Sequence, residues 1–280
     1  MTATTRQMKK TVRALTVADL HQSSKLYRLL GSAVSQHQPD VVAIVGDCLD
    51  FGDGQHHDRF SIQECAAWLS SLPVKHMVFV RGNHEDENWV DFVQAWPLEQ
   101  RPLIALYGTA TTVGPLVILG FPCLTGSEEA WCQTLPKSGN QLTRDRTLSG
   151  RNCLPPNPDG WLAPLLRKHG PAARTLWLMH EPPVALPIAG PQTCNFVWTD
   201  TVESHRPLVV VSGHDHKLPL ENNTWNAKLG DTLCVNAGQD ASDLHYCVLD
   251  FEFRQETPCL PTRVIVQAFP WRQRVEIGPA

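Results

Sequence analysis

Five short polar clusters, each directly after an apolar run, carry the side chains most capable of chemistry in this chain. They are Asp19-x-His21, Gly46-Asp47-x-x-Asp50, Gly82-Asn83-His84-Glu85, His180 and Gly213-His214-x-His216. Together they offer carboxylate, imidazole and amide groups, a set that suits Mn, Fe or Zn and argues against a closed thiolate zinc site. Any single cluster could be ordinary turn chemistry. All five at strand ends favour a metal site, and ligands from separate loops with one shared carboxylate are typical of two metals roughly 3.5–4 Å apart.

The apolar runs before the clusters predict the strands that position them. Predicted strands span residues 12–18, 41–45, 74–80, 174–179 and 208–211. The continuous apolar run at 41–45 is typical of a strand buried on both faces. Ser23 is a predicted cap for a helix that ends before Pro39, and Ser61 with Glu64 forms a predicted capping box for a second helix. This alternation predicts βαβ units whose polar loops gather at one edge of a largely parallel sheet.

The rest of the chain is predicted to contain fewer helices. Further helices are predicted at 89–96 and 161–169, and further strands at 103–106, 116–119, 232–235, 245–253 and 262–269, with a connection at 108–114. Residues 121–160 lack periodicity and are rich in Pro, Gly, Ser and Asn, which indicates a loop-rich insertion. Because the 280 residues show no internal repeat and no convincing linker, we expect a single domain over residues 1–280.

Composition narrows the classes of partner. The formal net charge is −4 without a long run of either sign, which argues against nucleic acid and anionic membrane surfaces as partners. No stretch approaches about 18 consecutive apolar residues, and the basic start leads straight into a predicted strand, so we expect a cytoplasmic protein. Nine cysteines without a C-x-x-C pair favour buried free thiols. The oligomeric state is left open.

The five clusters, in this order, strongly resemble the calcineurin-like metallophosphoesterase superfamily. Its pattern D-x-H, G-D-x-x-D, G-N-H-[DE], H and G-H-x-H is matched from Asp19 to His216 without a gap. The resemblance implies an α/β (α+β) fold: a four-layer αββα sandwich of two mixed sheets flanked by helices, with a dinuclear metal site at the strand ends. It also implies the site residues. The first metal would be held by Asp19, His21, Asp47 and His216, and the second by Asp47, Asn83, His180 and His214.

Two further residues receive roles from the same resemblance. His84 would protonate the leaving oxygen, and Asp50 would orient His84. The physics is consistent with those roles, because two divalent cations lower the pKa of a bridging water until hydroxide forms near neutral pH and attacks phosphorus. An imidazole with a pKa near ~6.5 can then protonate the leaving group. In the loop at residues 81–85, we assign the chemistry to Gly82, Asn83 and His84, and none to the flanking Arg81 and Glu85.

The predicted activity is therefore metal-dependent hydrolysis of a small phosphorylated substrate, as a phosphodiesterase or a phosphomonoesterase. The alternatives are a catalytically silent binding scaffold on the same fold and a protein phosphatase. Scaffolds tend to lose metal ligands, whereas this chain keeps the full set. Protein phosphatases carry an Arg where this chain has Phe51, and His180-Glu-Pro-Pro is closer to bacterial phosphodiesterases. The substrate, the substrate-binding residues and the metal stay open, although Trp131 or Trp198 could stack on a nucleobase.

Overall fold

The computed structural model describes residues 10–50, 58–85, 88–121, 123, 158–184, 187–254 and 257–278. Phe51, Trp131 and most of the predicted insertion at 121–160 lie outside these residues. A single domain over the whole chain stays a prediction. Among the described helices, none is long and apolar enough to cross a membrane.

Within the described part of the chain, thirteen strands form two mixed sheets. The strands are β1 (Lys10–Val17), β2 (Val41–Val45), β3 (His76–Val80), β4 (Ile104–Ala105), β5 (Thr109–Val113), β6 (Leu116–Phe121), β7 (Thr175–Met179), β8 (Val209–Ser212), β9 (Asn226–Leu229), β10 (Thr232–Asn236), β11 (Tyr246–Arg254), β12 (Thr257–Phe269) and β13 (Gln273–Ile277). The first sheet has the order β13-β12-β11-β1-β2-β3-β4, and the second has the order β5-β6-β7-β8-β10-β9. Strands β1 to β4 run parallel, as do β6, β7, β8 and β10, and the remaining strands are antiparallel.

Helices cover the outer face of each sheet. They are α1 (Ser24–His37), α2 (Ile62–Ser71), α3 (Trp89–Ala95), α4 (Asp159–His169), α5 (Phe196–His205) and the single turn α6 (Leu218–Glu221). Ser23 caps α1, accepting from the Leu26 N–H, and Ser61 with Glu64 forms a complete capping box at α2, so both predicted helix starts are confirmed.

The buried strands show how the layers form. In β2, Val42 and Ile44 face the core beneath α1, α2 and α3, while Val41, Ala43 and Val45 face the second sheet. A third core lies between β7 and helices α4 and α5, so the molecule has the four layers of an αββα sandwich. The predicted fold is confirmed.

Several elements were not predicted from the sequence. Strands β5, β9 and β13 lie at or near sheet edges and carry few apolar residues, so period-two alternation is weak in them. Helix α5 was missed because its Val and Thr residues have low helix propensity. The one-turn helix α6 lies between β8 and β9, in a stretch for which the sequence predicts no element. Trp198 is 1% exposed and packs on Phe121. The prediction that Trp198 could stack on a nucleobase is therefore wrong.

Candidate metal centre

The polar clusters meet because their strands end at a common edge. Parallel strands β1, β2 and β3 of the first sheet and β7 and β8 of the second lead into them. The backbone N–H groups of Asp19 and His21 donate to the carbonyls of Gly46 and Asp47, at 3.0 and 2.9 Å. The two sheets are joined at the site by the Asp19 carboxylate, which accepts the His214 backbone N–H at 3.1 Å.

The structure brings all seven predicted ligands together. Candidate donor atoms lie within 4.8 Å of one another in three groups: Asp19 with His21 and His216, Asp47 with His180 and His214, and His21 with Asp47 and His84. Asn83 completes the set, because its Oδ1 lies 3.1 Å from His180 Nε2. Asp47 therefore stands between the two predicted halves of the site.

The contacts inside these groups fit a divalent cation. His21 Nε2 and His216 Nε2 lie 3.2 Å apart, a distance at which two neutral imidazole nitrogens need a proton or a cation between them. His180 Nε2 lies 3.1 Å from Asp47 Oδ2. The His21 Nδ1 atom is buried without a hydrogen-bond partner among the described residues. Since imidazole nitrogen and carboxylate oxygen are ligands that Mn, Fe and Zn share, the donor set fits divalent ions of this kind.

Proton occupancy differs among the histidines. Burial alone would lower the pKa of His180, but the Asp47 charge and hydrogen bond outweigh it and raise that pKa to about 10. Asp47 is likewise buried, yet the charge of His180 holds the pKa of Asp47 below its usual range. Burial lowers the pKa of His21 and of His214. In His216 the hydrogen bond to Asp19 outweighs burial and raises the pKa.

The loops hold an unusual backbone conformation. Asp19, His21, Gln22, Asp47 and His214 have φ between 45° and 68°, in the left-handed region. Non-glycine residues persist there when the surrounding structure over-determines them, and such residues concentrate at functional sites. All of these residues except Gln22 are predicted ligands. The site loops thus hold five of the nine non-glycine residues with positive φ among the described residues, and the other four lie elsewhere.

Gly82 is required for close packing. A Cβ added at Gly82 would overlap the Asp47 carboxylate oxygen and the Asp47 backbone nitrogen. Gly82 does not have a positive φ, so its importance lies in the approach of Asp47 rather than in a glycine-only turn.

His84 lies beside the predicted ligands, and Asp50 holds its ring on the side away from Asp47 Oδ2. His84 Nδ1 lies 2.8 Å from Asp50 Oδ1, and the His84 backbone N–H donates to Asp47 Oδ1 at 3.0 Å. On the far side of the ring, His84 Nε2 lies 3.8 Å from Asp47 Oδ2. The second carboxylate oxygen of Asp50 pairs with Arg59, and the Asp50 backbone N–H donates to Gln22 Oε1 at 3.1 Å. The pairing of Asp50 with His84 is thus present in the structure.

Glu85, to which the sequence assigned no chemistry, supports the ligand loops. It is 1% exposed, and its carboxylate accepts backbone N–H groups from Asp47 and Leu49 at 3.0 Å each and from Gly82 at 2.6 Å. Burial, followed by the charge of Asp47, raises its pKa to about 7. The available sequence signal was an acidic residue in the loop that follows the apolar run at 77–80.

Two other supporting residues were also missed. Gln22 is 1% exposed, and its side chain links Asp50 to the Phe60 carbonyl, to which its Nε2 donates at 2.9 Å. No sequence motif marks Gln22 or Arg59. Asn236, at the end of β10, also supports the site. Asn236 Nδ2 donates to the carbonyls of Gly213 and Asp215 at 3.2 and 3.1 Å, bracing the last ligand loop.

An αββα sandwich with overlapping carboxylate–histidine groups at its strand ends defines the metallophosphoesterase class of proteins. The family model described as calcineurin-like phosphoesterase matches residues 12–218, and the chain belongs to this family.

Solved structures share the fold at low sequence identity. A dimetal phosphatase from Danio rerio is 14% identical, with 96% of this chain and 99% of that chain covered and a TM-score of 0.60. The protein TT1561 of Thermus thermophilus is 13% identical, with 97% and 100% covered and a TM-score of 0.56. The NAD nucleotidase of Haemophilus influenzae is 12% identical, with 97% of this chain and 50% of that chain covered and a TM-score of 0.52. A search of curated proteins found no match.

Proposed function

We propose that this phosphoesterase is a dinuclear, metal-dependent hydrolase of small-molecule phosphoric esters. The observation that carries the proposal is the position of Asp47, which shares one candidate group with His180 and His214 and another with His21 and His84. A carboxylate so placed suits the bridge between two ions. The proposed ligand sets are Asp19, His21, Asp47 and His216 for one ion and Asp47, Asn83, His180 and His214 for the other.

When bound, the two ions supply positive charge beside the phosphoryl oxygens and a water of lowered pKa. The chain's own residues supply the proton and the orientation. Asp50 accepts from His84 Nδ1 and thereby leaves Nε2 as the edge of the ring directed toward the ligands. We assign proton donation to the leaving oxygen to His84 Nε2, because an imidazole donates a proton effectively near neutral pH.

The dimetal phosphatase and the NAD nucleotidase, named as such among the structures that share the fold, support phosphate chemistry by analogy alone. Whether the substrate is a monoester or a diester is tested by comparing one ester of each kind.

The test is hydrolysis of p-nitrophenyl phosphate and bis-p-nitrophenyl phosphate with Mn, Fe or Zn added, with and without a chelator, while bound metal is counted. Asp47→Asn is expected to abolish turnover and to lower metal loading, since it removes the shared carboxylate. The exposed Asp231→Asn variant is the matched control and should behave as wild type. Two bound metals without hydrolysis of either ester would favour the scaffold alternative, and retention of two metals in Asp47→Asn would contradict the bridge.

A further inference from the structure

A cavity of about 870 Å³ opens beside the candidate metal centre. One part of its lining consists of proposed ligands, and another part consists of basic side chains. The ligands are Asp19, His21 and His216, and the basic residues, which we call the cationic wall, are Lys25, Arg28 and Arg59. Asp58 is the one acidic residue among the described lining residues outside the ligand set. In a chain of net charge −4, three basic side chains thus lie together next to the site, although Arg59 and Lys25 also interact with the acidic residues Asp50 and Asp240.

The cationic wall is held by backbone hydrogen bonds. The Ser24 N–H donates to the Asp58 carbonyl at 3.0 Å, and the Phe60 N–H donates to the Gln22 carbonyl at 2.8 Å. These bonds join the start of α1 to residues 58–60 as a short antiparallel bridge. The Arg28 guanidinium lies 5.8 Å from the centre of the Phe60 ring. The basic groups therefore belong to one supported surface.

Lys25 occupies a position that helix electrostatics disfavours. It lies in the first turn of α1, which contains no acidic residue. The N-terminus of a helix carries partial positive charge, so a cation there opposes the dipole. Asp240 on a neighbouring loop interacts with Lys25 and offsets part of this charge. A charge that opposes the helix dipole beside a reactive site, as Lys25 does, indicates a role in binding rather than in helix stability.

Arg59 links the cationic wall to the pair formed by Asp50 and His84. Arg59 contacts one oxygen of Asp50, and the other oxygen of Asp50 lies 2.8 Å from His84 Nδ1. Because the proposed ligands Asp19, His21 and His216 line the same cavity, a substrate bound at the metals of the proposed function would extend along this wall.

We propose that the cationic wall binds a second anionic group of the substrate, so that preferred substrates are phosphoesters carrying a further phosphate or carboxylate. Guanidinium and ammonium groups bind both anions through charge-assisted hydrogen bonds. The cavity extends past the ligands and has room for such a group. The inference rests on the proposed function, because it specifies the substrate of that same site.

The test compares alkanediol monophosphates with the corresponding bisphosphates and ω-carboxyalkyl phosphates over a short series of chain lengths, using the metal-loaded full chain. The kcat/KM for the doubly anionic esters is expected to exceed that for the monophosphate by about tenfold at the best length, one tenfold step corresponding to about 1.4 kcal/mol. Comparison of the ω-carboxyalkyl phosphates with the bisphosphates shows whether carboxylate or phosphate is preferred as the second anion.

The variant is Lys25→Gln with Arg28→Gln, which keeps most of each aliphatic stem and removes the charge. It is expected to lower kcat/KM for the bisphosphate about tenfold more than for the monophosphate. The matched control is Arg167→Gln with Lys168→Gln, two exposed residues in the last turn of α4, and should leave the ratio unchanged. Thermal unfolding of both variants checks that they are folded.

Equal losses on both esters would show that these cations attract only the transferred phosphoryl group, and would overturn the inference. Turnover of p-nitrophenyl phosphate without preference for any doubly anionic ester would overturn the inference alone. Failure to hydrolyse p-nitrophenyl phosphate with two metals bound would overturn the proposed function and the inference with it.

Discussion

The carboxylate of Glu85 accepts the backbone N–H of Asp47 at 3.0 Å, and thereby fixes the residue that stands between the two candidate metal groups. The same carboxylate accepts N–H groups of Leu49 and Gly82, so one buried side chain holds the loops after β2 and β3 together. A single acceptor group thus sets the relative position of two ligand loops.

Glu85→Ala should destabilise the protein and weaken metal binding together. Removal of the carboxylate leaves three buried N–H groups without their acceptor, so we expect the free energy of unfolding to fall by about 3 kcal/mol or more. Chemical denaturation measures the stability, and metal titration measures the affinity. Glu203→Gln, at an exposed position of α5, is the control. A Glu85→Ala variant with wild-type stability and metal affinity would contradict this role.

Replacement of His84 should separate two classes of substrate. His84→Ala is expected to reduce kcat for an alkyl phosphoester by about 100-fold or more, because an alkoxide needs a proton to leave. A nitrophenyl ester should lose far less, since nitrophenolate leaves without that proton. His169→Ala, in the last turn of α4, serves as the control. Equal losses on alkyl and aryl esters would remove His84 from the role of acid.

Metal uptake should release protons. In the metal-free protein the pKa of His180 is raised to about 10 by Asp47 despite burial, so His180 is charged at pH 7. A metal ligand must be neutral imidazole, so binding displaces about one proton from His180 and the affinity rises with pH up to about 10. His216, whose pKa is also raised, adds to the release. Calorimetry in buffers of different ionisation enthalpy counts the protons, and a count of zero at pH 7 would refute the prediction.

The same shift gives the stability of the metal-free protein a pH dependence. Since the folded pKa of His180 lies above the usual value of 6.5, its contribution is complete below pH 6.5 and is lost as the pH rises toward about 10. Bound metal should suppress this loss, because the metal replaces the proton.

Gly82→Ala should impair the site without removing any ligand. The added methyl group would overlap Asp47 and push its carboxylate away from the other ligands. A displacement of about 1 Å can cost about 100-fold in rate, so we expect a loss of that order together with weaker metal binding. Gly278→Ala has open space around its Cβ and is the matched control. Wild-type activity in Gly82→Ala would show that the loop relaxes around the methyl group.

The residue pattern was sufficient to predict the central strands and the residues that form the site. The strand β2 was recognisable because a wholly apolar run can be buried on both faces, and α1 and α2 were recognisable by their capping residues. Edge strands such as β5 and β9 were not, because one side of each is polar and their pairing depends on partners elsewhere in the sheet.

The sequence by itself determined which residues meet, since each predicted ligand follows a strand and parallel strands end at one edge. Tertiary structure alone decided what supports them. Glu85 and Gln22 act through contacts with residues 28 to 38 positions away, and Arg59 acts through its ion pair with Asp50; such contacts leave no periodicity. Local patterns record burial and turn geometry. Hydrogen bonds between loops, and the placement of charge around a cavity, arise only when the chain is folded.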